Sequence, residues 1–412
     1  MSIIRDKSLA AAGLAKINWV KDFMPVLSRL EKKMIAEQPL KGLKVTVCVH
    51  LEAKTAYLGL VLRAAGAEIS VTGSNPLSTK DDICAALDSL GVQVFAWHKA
   101  TAQEYHEHQL KAMEFCPHII IDDGSDLVSI LHDEAPQYAK NLLGGCEETT
   151  TGILRLRARS DAGKLNFPMF AVNDAKCKYL FDNYHGTGQS SWDGIMYSTN
   201  NMISGRTVVV AGYGNCSSGI ASRAKGLGAN VIVTEVDRFK ALEAVMDGFR
   251  VMPMIEAAKL GDIFVTATGC SKVITTEHFK VMKNNVLLAN AGHFDVEVDK
   301  TALEKLCQKK ENRKPFIDGY HLSDGRILNL LADGRLVNIV AGNGHPADIM
   351  DLSFGIQLLG VLHVAKNAKQ LKPALYNIPQ EIDDEVCRIK LEAMGTAIDI
   401  LTAEQKAYLS SM

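Results

Sequence analysis

The sequence predicts an α/β protein built on two doubly wound parallel sheets. Short runs of β-branched and apolar residues alternate along the chain with stretches that have helical spacing. Two series of such runs cover residues 44–49, 68–72, 92–97, 118–121 and 167–172, and then 207–211, 231–234, 262–266 and 286–289. Apolar runs connected by helices are typical of parallel strands that are buried on both faces of a sheet.

The length of the chain predicts at least two domains. At 412 residues it exceeds what one hydrophobic core usually spans. Boundaries are expected in the glycine-rich segments GTGQSS (186–191) and GNGHP (342–346). Residues 349–365, after the second boundary, have helical spacing, and Asp348 or Asp351 is the candidate N-cap of that helix.

Composition and charge argue against several classes of protein. The net charge of −2 is untypical of a general nucleic-acid binder. Charges interrupt the apolar residues of segment 1–27, which predicts an amphipathic helix rather than a signal peptide, and no apolar run is long enough for a membrane span. Nine scattered cysteines without a CxxC pair indicate free thiols in a reducing cytoplasm, and no ligand cluster has metal spacing.

The strongest local motif is VVVAGYGNCSSG at 208–219, which ends a predicted strand and opens a helix at Asn215. Gly212 and Gly214 match the first two glycines of GxGxxG, which allow a tight turn and a close approach of a pyrophosphate to the helix N-terminus. Glu235 ends the next strand, where a carboxylate accepts both ribose hydroxyls and repels a 2′-phosphate. The motif therefore predicts a Rossmann-like domain that binds NAD rather than NADP, with an ordinary tight turn as the alternative.

Two further features of this region affect the expected cofactor site. Ser217 stands at the third glycine position, and Gly219 lies two residues further on. We expect the Ser217 side chain to push the helix slightly off the sheet and to weaken cofactor binding. Thr268 belongs to TATGC (266–270), which ends another strand as a loop over the cofactor does, although an ordinary turn has the same pattern.

Nine longer segments of the chain match one known family. They are HLEAKTA (50–56), GSNPLST (73–79), DDGSDL (122–127), EETTTG (147–152), KYLFDN (178–183), AGYG (211–214), NAGHFDVE (290–297), GRLVN (334–338) and GHP (344–346). On these segments the sequence resembles the S-adenosylhomocysteine hydrolases over nearly its whole length. The resemblance implies a substrate-binding catalytic domain at 1–186, an inserted NAD-binding Rossmann domain at 187–345, and C-terminal helices at 346–412 that return to the first domain. It also implies a homotetramer or homodimer.

The reaction of that family requires a redox cofactor for a hydrolysis. Oxidation of the ribose 3′-OH makes the C4′ hydrogen acidic, a base removes it, homocysteine leaves C5′, water adds, and the reduced NAD returns its hydride. The resemblance thus implies NAD-dependent, reversible hydrolysis of S-adenosyl-L-homocysteine to adenosine and L-homocysteine. The protein must supply a base for the 3′-OH, a base for the C4′ hydrogen, and an acid–base group for the sulfur and water steps.

The resemblance assigns these roles to five residues. Lys178 and Asp182 are implied at the 3′-OH; they lie one helical turn apart, and the lysine can act as a base only if burial beside the nicotinamide lowers its pKa. Asp123 resembles the C4′ base and follows a predicted buried strand. His50 and His293 resemble proton-transfer groups near C5′. Plainer interpretations of the same residues are a surface ion pair, a turn-forming aspartate and structural histidines.

Other residues resemble contacts to substrate and cofactor. Glu148 matches the ribose-binding acid of the family, with Thr149, Thr150 and Thr151 in the adjoining loop, although EETTTG is also a plausible helix cap. The resemblance further implies substrate contacts for Thr55, Asn75 and His345, and cofactor contacts for the three threonines, Asn183, Gly292, Asn338 and His345.

The chain also departs from the family pattern. Thr187 stands where many relatives carry a cysteine near the nicotinamide. The sequence ends at AYLSSM, without the basic, tyrosine-bearing tail by which many members reach the cofactor of a neighbouring subunit. Together with Ser217, this leads us to expect a looser hold on NAD.

The segment expected to bind the nucleobase differs as well. Many relatives have HxTxET, whereas this chain has HLEAKT at 50–55, so that Lys54 replaces the acid and Glu52 lies two residues earlier. Residues two apart on a strand share a face, so both would meet the base. Lys54 only donates and ionised Glu52 only accepts hydrogen bonds, which suits the carbonyl and ring N–H of hypoxanthine. Alternatively the two side chains pair with each other, and adenine binds through backbone groups.

The HLEAKT form resembles archaeal and some thermophilic bacterial members, among which S-inosylhomocysteine is a proposed substrate. We expect the adenosyl substrate, with the inosyl one as the alternative. Two other classes stay open. An ordinary NAD-dependent dehydrogenase would turn over external NAD and would need neither EETTTG nor the Lys178–Asp182 pair. A non-catalytic NAD-binding homologue is favoured only by Ser217 and the missing tail.

Overall fold

The computed structural model describes residues 2–411, which form two sheets packed against helices. The first sheet consists of β1 (Lys44–Cys48), β2 (Glu68–Thr72), β3 (Gln93–Phe95), β4 (Ile119–Asp122), β5 (Gly144–Glu147), β6 (Met169–Ala171) and β15 (Leu375–Asn377). Its strands are all parallel, in the order β15-β6-β5-β4-β1-β2-β3. The strand order reverses between β1 and β4, and such switch points are where open α/β sheets bind ligands.

The second sheet has a parallel part and an antiparallel edge. Its strands are β7 (Thr207–Ala211), β8 (Asn230–Thr234), β9 (Arg250–Val251), β10 (Ile263–Thr266), β11 (Val286–Asn290), β12 (Cys307–Lys314), β13 (Ile317–Leu322) and β14 (Ile327–Leu331), in the order β12-β13-β14-β11-β10-β7-β8-β9. Here the order reverses between β7 and β10. The predicted α/β class with two Rossmann-like sheets is confirmed, except that β13 runs antiparallel to both of its neighbours.

The connections between strands are mostly helical, as the sequence predicts. The helices before the second sheet are α1 (Ala10–Asp22), α2 (Pro25–Glu37), α3 (Ala53–Ala64), α4 (Asp81–Ser89), α5 (Ala102–Met113), α6 (Asp126–Ser129), α7 (Thr150–Asp161), α8 (Lys176–Lys178) and α9 (Thr187–Thr199). Those that follow are α10 (Asn215–Gly226), α11 (Arg238–Met246), α12 (Met254–Leu260), α13 (Thr276–Val281), α14 (Lys300–Leu306), α15 (Val337–Val340), α16 (Ala347–Asn367), α17 (Gln380–Ala393) and α18 (Ala403–Ser410).

Helices α16 and α17 pack in the core of the first sheet, whereas α18 is exposed throughout, so the predicted return of the C-terminal helices holds for the first two of them. β15 pairs with β6, and α16 buries Phe354 and Leu358 in the same core as β1. The expectation that Asp348 or Asp351 caps α16 is wrong, because that helix begins after Pro346 without a side-chain cap. Asp351 is buried and accepts the N–H groups of two residues in the first turn of α2 instead. The domain bounds at 186–187 and 345–346 stay a prediction.

Helix α16 is long and apolar enough to cross a bilayer by length and composition alone. It has 21 residues, and its most apolar window has a mean hydropathy of 1.3. Of that window, 67% is buried inside the protein. The core helix of a large domain has the same combination of length and burial, so the expectation that no membrane is involved stays a prediction.

Candidate active site

A cavity of about 400 Å³ is lined by loops from the carboxyl ends of both sheets. These loops follow β1, β4 and β5 of the first sheet and β7, β10 and β11 of the second. Most of the residues singled out in the sequence line it: His50, Glu52, Lys54, Thr55, Asp123, Glu148, Thr149, Thr150, Thr151, Lys178, Asp182, Asn183, Gly214, Asn215, Thr268, Gly292, His293, Asn338 and His345. Asn75, Gly212 and Glu235 do not line the cavity.

Asp123 lies at the switch point of the first sheet, directly after β4. Its carboxylate is buried and accepts a hydrogen bond of 2.8 Å from the Ser74 hydroxyl. His50 approaches the same carboxylate oxygen with its Nε2 at 3.6 Å. His293 stands across the cleft, with its ring centroid 6.2 Å from that of His50. A carboxylate and two imidazoles therefore face one end of the cavity.

The hydrogen bonds around His50 define its proton-bearing nitrogen. The Ser78 hydroxyl donates to the carbonyl of Asn75 at 2.9 Å, so it accepts from Nδ1 of His50 at 2.7 Å. Nε2 is then the free base that points at Asp123. Burial lowers the pKa of His50 to about 4, which keeps the ring neutral. Asn75, implied as a substrate contact, lies outside the cavity. Its carbonyl holds the Ser78 hydroxyl that contacts His50, and its Oδ1 accepts from the N–H of Leu77.

Lys178 and Asp182 form a buried pair, not a surface one. Lys178 Nζ lies 3.0 Å from Asp182 Oδ2 and donates to Asn183 Oδ1 at 2.7 Å, and it is 3.7 Å from Glu148 Oε1. The backbone from Tyr179–Gly186 is a π-helical segment that continues α8. Wide turns of this kind are frequent at functional sites.

The expected lowering of the Lys178 pKa is not produced by the residues that surround it. Burial alone would lower the pKa of Lys178, but the carboxylates of Asp182 and Glu148 outweigh it and hold that pKa above its usual range. The reverse holds for Asp182. Burial would raise its pKa, whereas Lys178 and His345 hold it well below the usual range. The pair is thus an ammonium beside a carboxylate.

Helix α16 supports both carboxylates beside Lys178. Ser353 donates to Asp182 Oδ2 at 2.7 Å, and Gln357, one turn later, donates to Glu148 Oε2 at 2.6 Å. Oε1 of Glu148 is buried without a hydrogen-bond partner among the described residues. It lines the cavity and is available to a hydroxyl of a bound ligand. Sequence reasoning missed Ser353 and Gln357 because they lie in an apolar helix far along the chain.

Glu148 is a buried carboxyl group that titrates close to neutral pH. Burial raises the pKa of Glu148 to about 7, although Lys178 opposes this shift. Asp182 and Asp123 add to the shift, and the Gln357 amide favours the ionised form. The carboxylate therefore changes charge within the physiological range.

We expect Gln357→Met to move the acid limb of the kcat/KM profile to higher pH. The substitution removes the N–H that stabilises ionised Glu148, so its pKa rises, and a hydrogen bond to a charged group is worth about one pH unit or more. The profile of kcat/KM measures this, because it reports the free enzyme. Gln109→Met, at a buried amide outside the cavity, is the control. An unmoved acid limb in Gln357→Met contradicts the assignment.

The glycine loop after β7 has the geometry that a dinucleotide requires. Gly212 has a φ of +95°, which favours glycine, and a Cβ on Gly214 would meet no atom within 4 Å on the cavity side. Helix α10 begins directly after it at Asn215, with its first N–H groups free for a phosphate. Glu235 ends β8 as predicted and accepts from the backbone N–H of Tyr213 at 2.7 Å.

Ser217 is accommodated without an orphaned hydroxyl. The side chain is buried and donates to the carbonyl of Gly214 at 3.3 Å. The tightest packing of α10 occurs two residues later, where a Cβ on Gly219 would lie 2.0 Å from the carbonyl oxygen of Tyr184. This close approach is to the π-helical segment Tyr179–Gly186, whereas the third glycine of the motif normally permits close packing of the helix on the sheet. The expected weakening of NAD binding stays a prediction.

Amide groups at the domain junction fit a nicotinamide. Asn338 donates to Ser190 at 3.2 Å, and its Oδ1 is buried without a hydrogen-bond partner among residues 2–411. An unpaired buried acceptor on the cavity wall fits the NH₂ of a carboxamide. Thr187 donates to the sulfur of Cys216 at 3.6 Å, so a thiol lines the cavity from α10 although the family's cysteine position holds threonine.

Thr268 lines the cavity, but its polar groups are engaged elsewhere. Both its N–H and its hydroxyl donate to the buried carboxylate of Glu297, at 3.0 and 2.8 Å. Glu297 also approaches Gly292, where a Cβ would lie 1.9 Å from Oε1. Glu297 ends the segment NAGHFDVE, and its part in shaping the site was not predicted.

Glu52 and Lys54 pair with each other. Lys54 Nζ lies 2.8 Å from Glu52 Oε2 and donates to the carbonyl of Asn343 at 3.1 Å. The expectation of a shared strand face is wrong, because Glu52 is the N-cap of α3 and Lys54 lies in its first turn. Both side chains nevertheless line the cavity. They present a carboxylate and an ammonium at its outer end, beside the junction at GNGHP.

Comparisons with known proteins converge on one family. The family described as S-adenosyl-L-homocysteine hydrolase matches residues 2–141, and its NAD binding domain matches residues 183–344. An adenosylhomocysteinase of Pyrococcus abyssi is 54% identical over 99% of this chain and 97% of its own. An S-inosyl-L-homocysteine hydrolase of Methanopyrus kandleri is 52% identical over 99% and 96%. An adenosylhomocysteinase of Aquifex aeolicus is 51% identical over 99% and 98%.

Proposed function

The chain belongs to the S-adenosyl-L-homocysteine hydrolase family, and we propose that it catalyses the NAD-dependent, reversible hydrolysis of S-adenosyl-L-homocysteine to adenosine and L-homocysteine. The observation that carries this proposal is one cavity with two sets of groups. Asp123 and His50 lie at one side, and Lys178, Asp182 and Glu148 at the other, beside a dinucleotide-binding glycine loop. An ordinary dehydrogenase needs only the groups that oxidise the substrate, and not a second set for elimination.

The two sets divide the reaction between them. When bound, NAD supplies the acceptor for the hydride of C3′, and its positive ring disfavours a neighbouring ammonium. Lys178, an ammonium in this structure, would first release one proton to solvent and then take the 3′-OH proton as the neutral amine, while Asp182 holds the lysine in place and Glu148 binds a ribose hydroxyl through its free Oε1. Asp123 removes the C4′ hydrogen.

The imidazoles serve the sulfur and water steps. His50 is neutral, with its Nε2 as the free base beside Asp123. His293 closes the same end from the second domain, where Gly124 leaves room for it. These two rings are assigned to relay the proton that Asp123 takes from C4′ to the leaving thiolate, and to accept the proton of the added water.

Release of free thiol with no net change in reduced NAD tests the function. Purified protein with NAD and S-adenosyl-L-homocysteine should form adenosine and homocysteine, with adenosine deaminase added to pull the equilibrium. Accumulation of reduced NAD without thiol would identify an ordinary dehydrogenase. Absence of both, in protein shown to bind NAD, would identify a non-catalytic homologue.

An inosyl substrate is the second candidate, and it requires Glu52 and Lys54 to leave the ion pair that they form with each other in this structure. The ammonium and the carboxylate match the carbonyl and ring N–H of hypoxanthine. Lys54 is also held by the carbonyl of Asn343, which fixes the donor at the outer end of the cavity. Adenine would leave one of these charges unmatched unless they stay paired with each other.

We expect Lys54→Glu to shift the ratio of kcat/KM for S-adenosyl- over S-inosylhomocysteine upward by about tenfold or more. The change replaces a donor by an acceptor, and a buried mismatch costs roughly 1–3 kcal/mol. Because the ratio compares two substrates in one variant, it is insensitive to partial loss of folded protein. Lys54→Met, which removes the donor without adding an acceptor, should give a smaller shift. An unchanged ratio in both variants would mean that the base is read elsewhere.

We also propose that the protein works in the cytoplasm as a homotetramer or homodimer. The absence of a CxxC pair and the nine free cysteines support a reducing compartment. Size-exclusion chromatography with light scattering tests the assembly.

A further inference from the structure

Two buried glutamates hold the loops that carry the reactive groups. Glu147 is the last residue of β5, and its carboxylate accepts from Gly124 and Thr149 N–H through Oε1, at 2.8 and 3.0 Å. Through Oε2 it accepts from the N–H and hydroxyl of Ser125, at 3.0 and 3.1 Å. Glu297, in the loop after β11, accepts from Thr268 and Gly269 in the loop after β10.

The loop held by Glu147 is strained where it presents Asp123. Gly124 has a φ of +112°, and Ser125, which is not a glycine, has a φ of +61°. A side-chain-bearing residue in this region costs of order 1 kcal/mol or more and persists only where its surroundings enforce it. The N–H of Ser125 donates to Glu147, and its hydroxyl lies within hydrogen-bond distance of both Glu147 Oε2 and the carbonyl of Gly152. This carboxylate and the start of α7 together enforce the turn.

The sequence around Glu147 makes room for its carboxylate. Gly152 closes the same EETTTG segment, and a Cβ there would lie 2.2 Å from Oε1 of Glu147. Thr149, between them, gives its N–H to the same oxygen. The segment EETTTG therefore has two functions. Glu148 lines the cavity, and Glu147 faces the loop that carries Asp123.

We propose that Glu147 is a positioning residue for the C4′ proton transfer, acting on the base Asp123 through the loop 123–125. The inference rests on the proposed function. Lys178 and Asp182 are held by α8, the π-helical segment and Ser353, whereas the Glu147 carboxylate binds the loop of Asp123 and the N–H of Thr149. The link from Glu147 to this pair runs along the chain through Glu148, 3.7 Å from Lys178. Loss of Glu147 should therefore slow the step at C4′ much more than the oxidation at C3′.

Glu147→Gln tests this with adenosine in deuterated water. The amide can replace only one acceptor oxygen, so either Gly124 and Thr149 or Ser125 loses its partner. We expect the bound cofactor to be reduced at within a few-fold of the wild-type rate, and C4′ deuterium exchange to fall about 10–100-fold, since a small misplacement of a catalytic group has effects of this size. Gly152→Ala, which displaces the carboxylate while favouring helix α7, should give the same separation.

Asp351→Asn is the matched control, because Asp351 is a buried carboxylate that accepts two backbone N–H groups at α2. It should lower thermal stability and leave the ratio of the two rates unchanged. Equal loss of both rates in Glu147→Gln and Gly152→Ala, or full exchange in either, overturns the inference. If the wild type itself shows neither reduction nor exchange, it is the proposed function that fails.

Discussion

Lys178→Ala is expected to abolish transient reduction of the bound cofactor and to lower turnover by about 10²–10⁴-fold, the usual contribution of a general acid–base group. Among residues 2–411, this ammonium is the only basic side chain that contacts both Asp182 and Glu148, and alanine leaves the two buried carboxylates without it. The measurement is stopped-flow absorbance of the reduced cofactor after mixing with adenosine.

Lys176→Ala is the control for this result. Lys176 lies on the same short helix, two residues earlier, with an exposed side chain outside the cavity. It should retain both reduction and turnover. Lys178→Ala also removes a positive charge from the buried Lys178–Asp182 pair, which could change the affinity for NAD. NAD binding is therefore measured separately in this variant. Normal transient reduction in a variant that binds NAD would show that another group takes the 3′-OH proton.

The parts of this site that sequence could predict are those that end strands. Asp123, Gly212 and Glu235 follow β-branched runs, and the structure places each of them at the end of a parallel strand. β5 has the sequence GGCE, which gives no strand signal. It is a strand because it pairs with β4 on one side and β6 on the other. The close packing there explains its glycines, since a Cβ on Gly145 would lie 2.5 Å from the side chain of Ile120.

Other features depend on contacts between distant segments. β12 is almost entirely polar and pairs only with β13, so no apolar pattern marks it. The pKa of Lys178 was expected to fall with burial, but the balance depends on Glu148, thirty residues earlier in the chain, as well as on Asp182. Residues such as Gln357 act on the site across 209 positions of sequence, which no local pattern can indicate.

The second large effect is expected for Asp123→Asn, which should separate the two halves of the reaction. Asparagine keeps the shape of the side chain and can still accept the hydrogen bond from Ser74, but its neutral amide cannot take a proton. Cofactor reduction should therefore proceed, because Lys178 and Asp182 are unchanged. Exchange of the C4′ hydrogen and release of homocysteine should fall by about 10²–10⁴-fold.

The distinctive result is accumulation of the reduced cofactor, since the reaction stalls after oxidation. Asp126→Asn, three residues later at the start of α6 and outside the cavity, should keep both steps within a few-fold. The imidazole of His50 is the nearest alternative base, with Nε2 only 3.6 Å from the Asp123 carboxylate. Normal exchange in Asp123→Asn that is lost in the double variant with His50→Ala would therefore assign the C4′ step to the histidine. Because burial lowers the pKa of His50 to about 4, its ring is a weak base, and we expect it not to compensate.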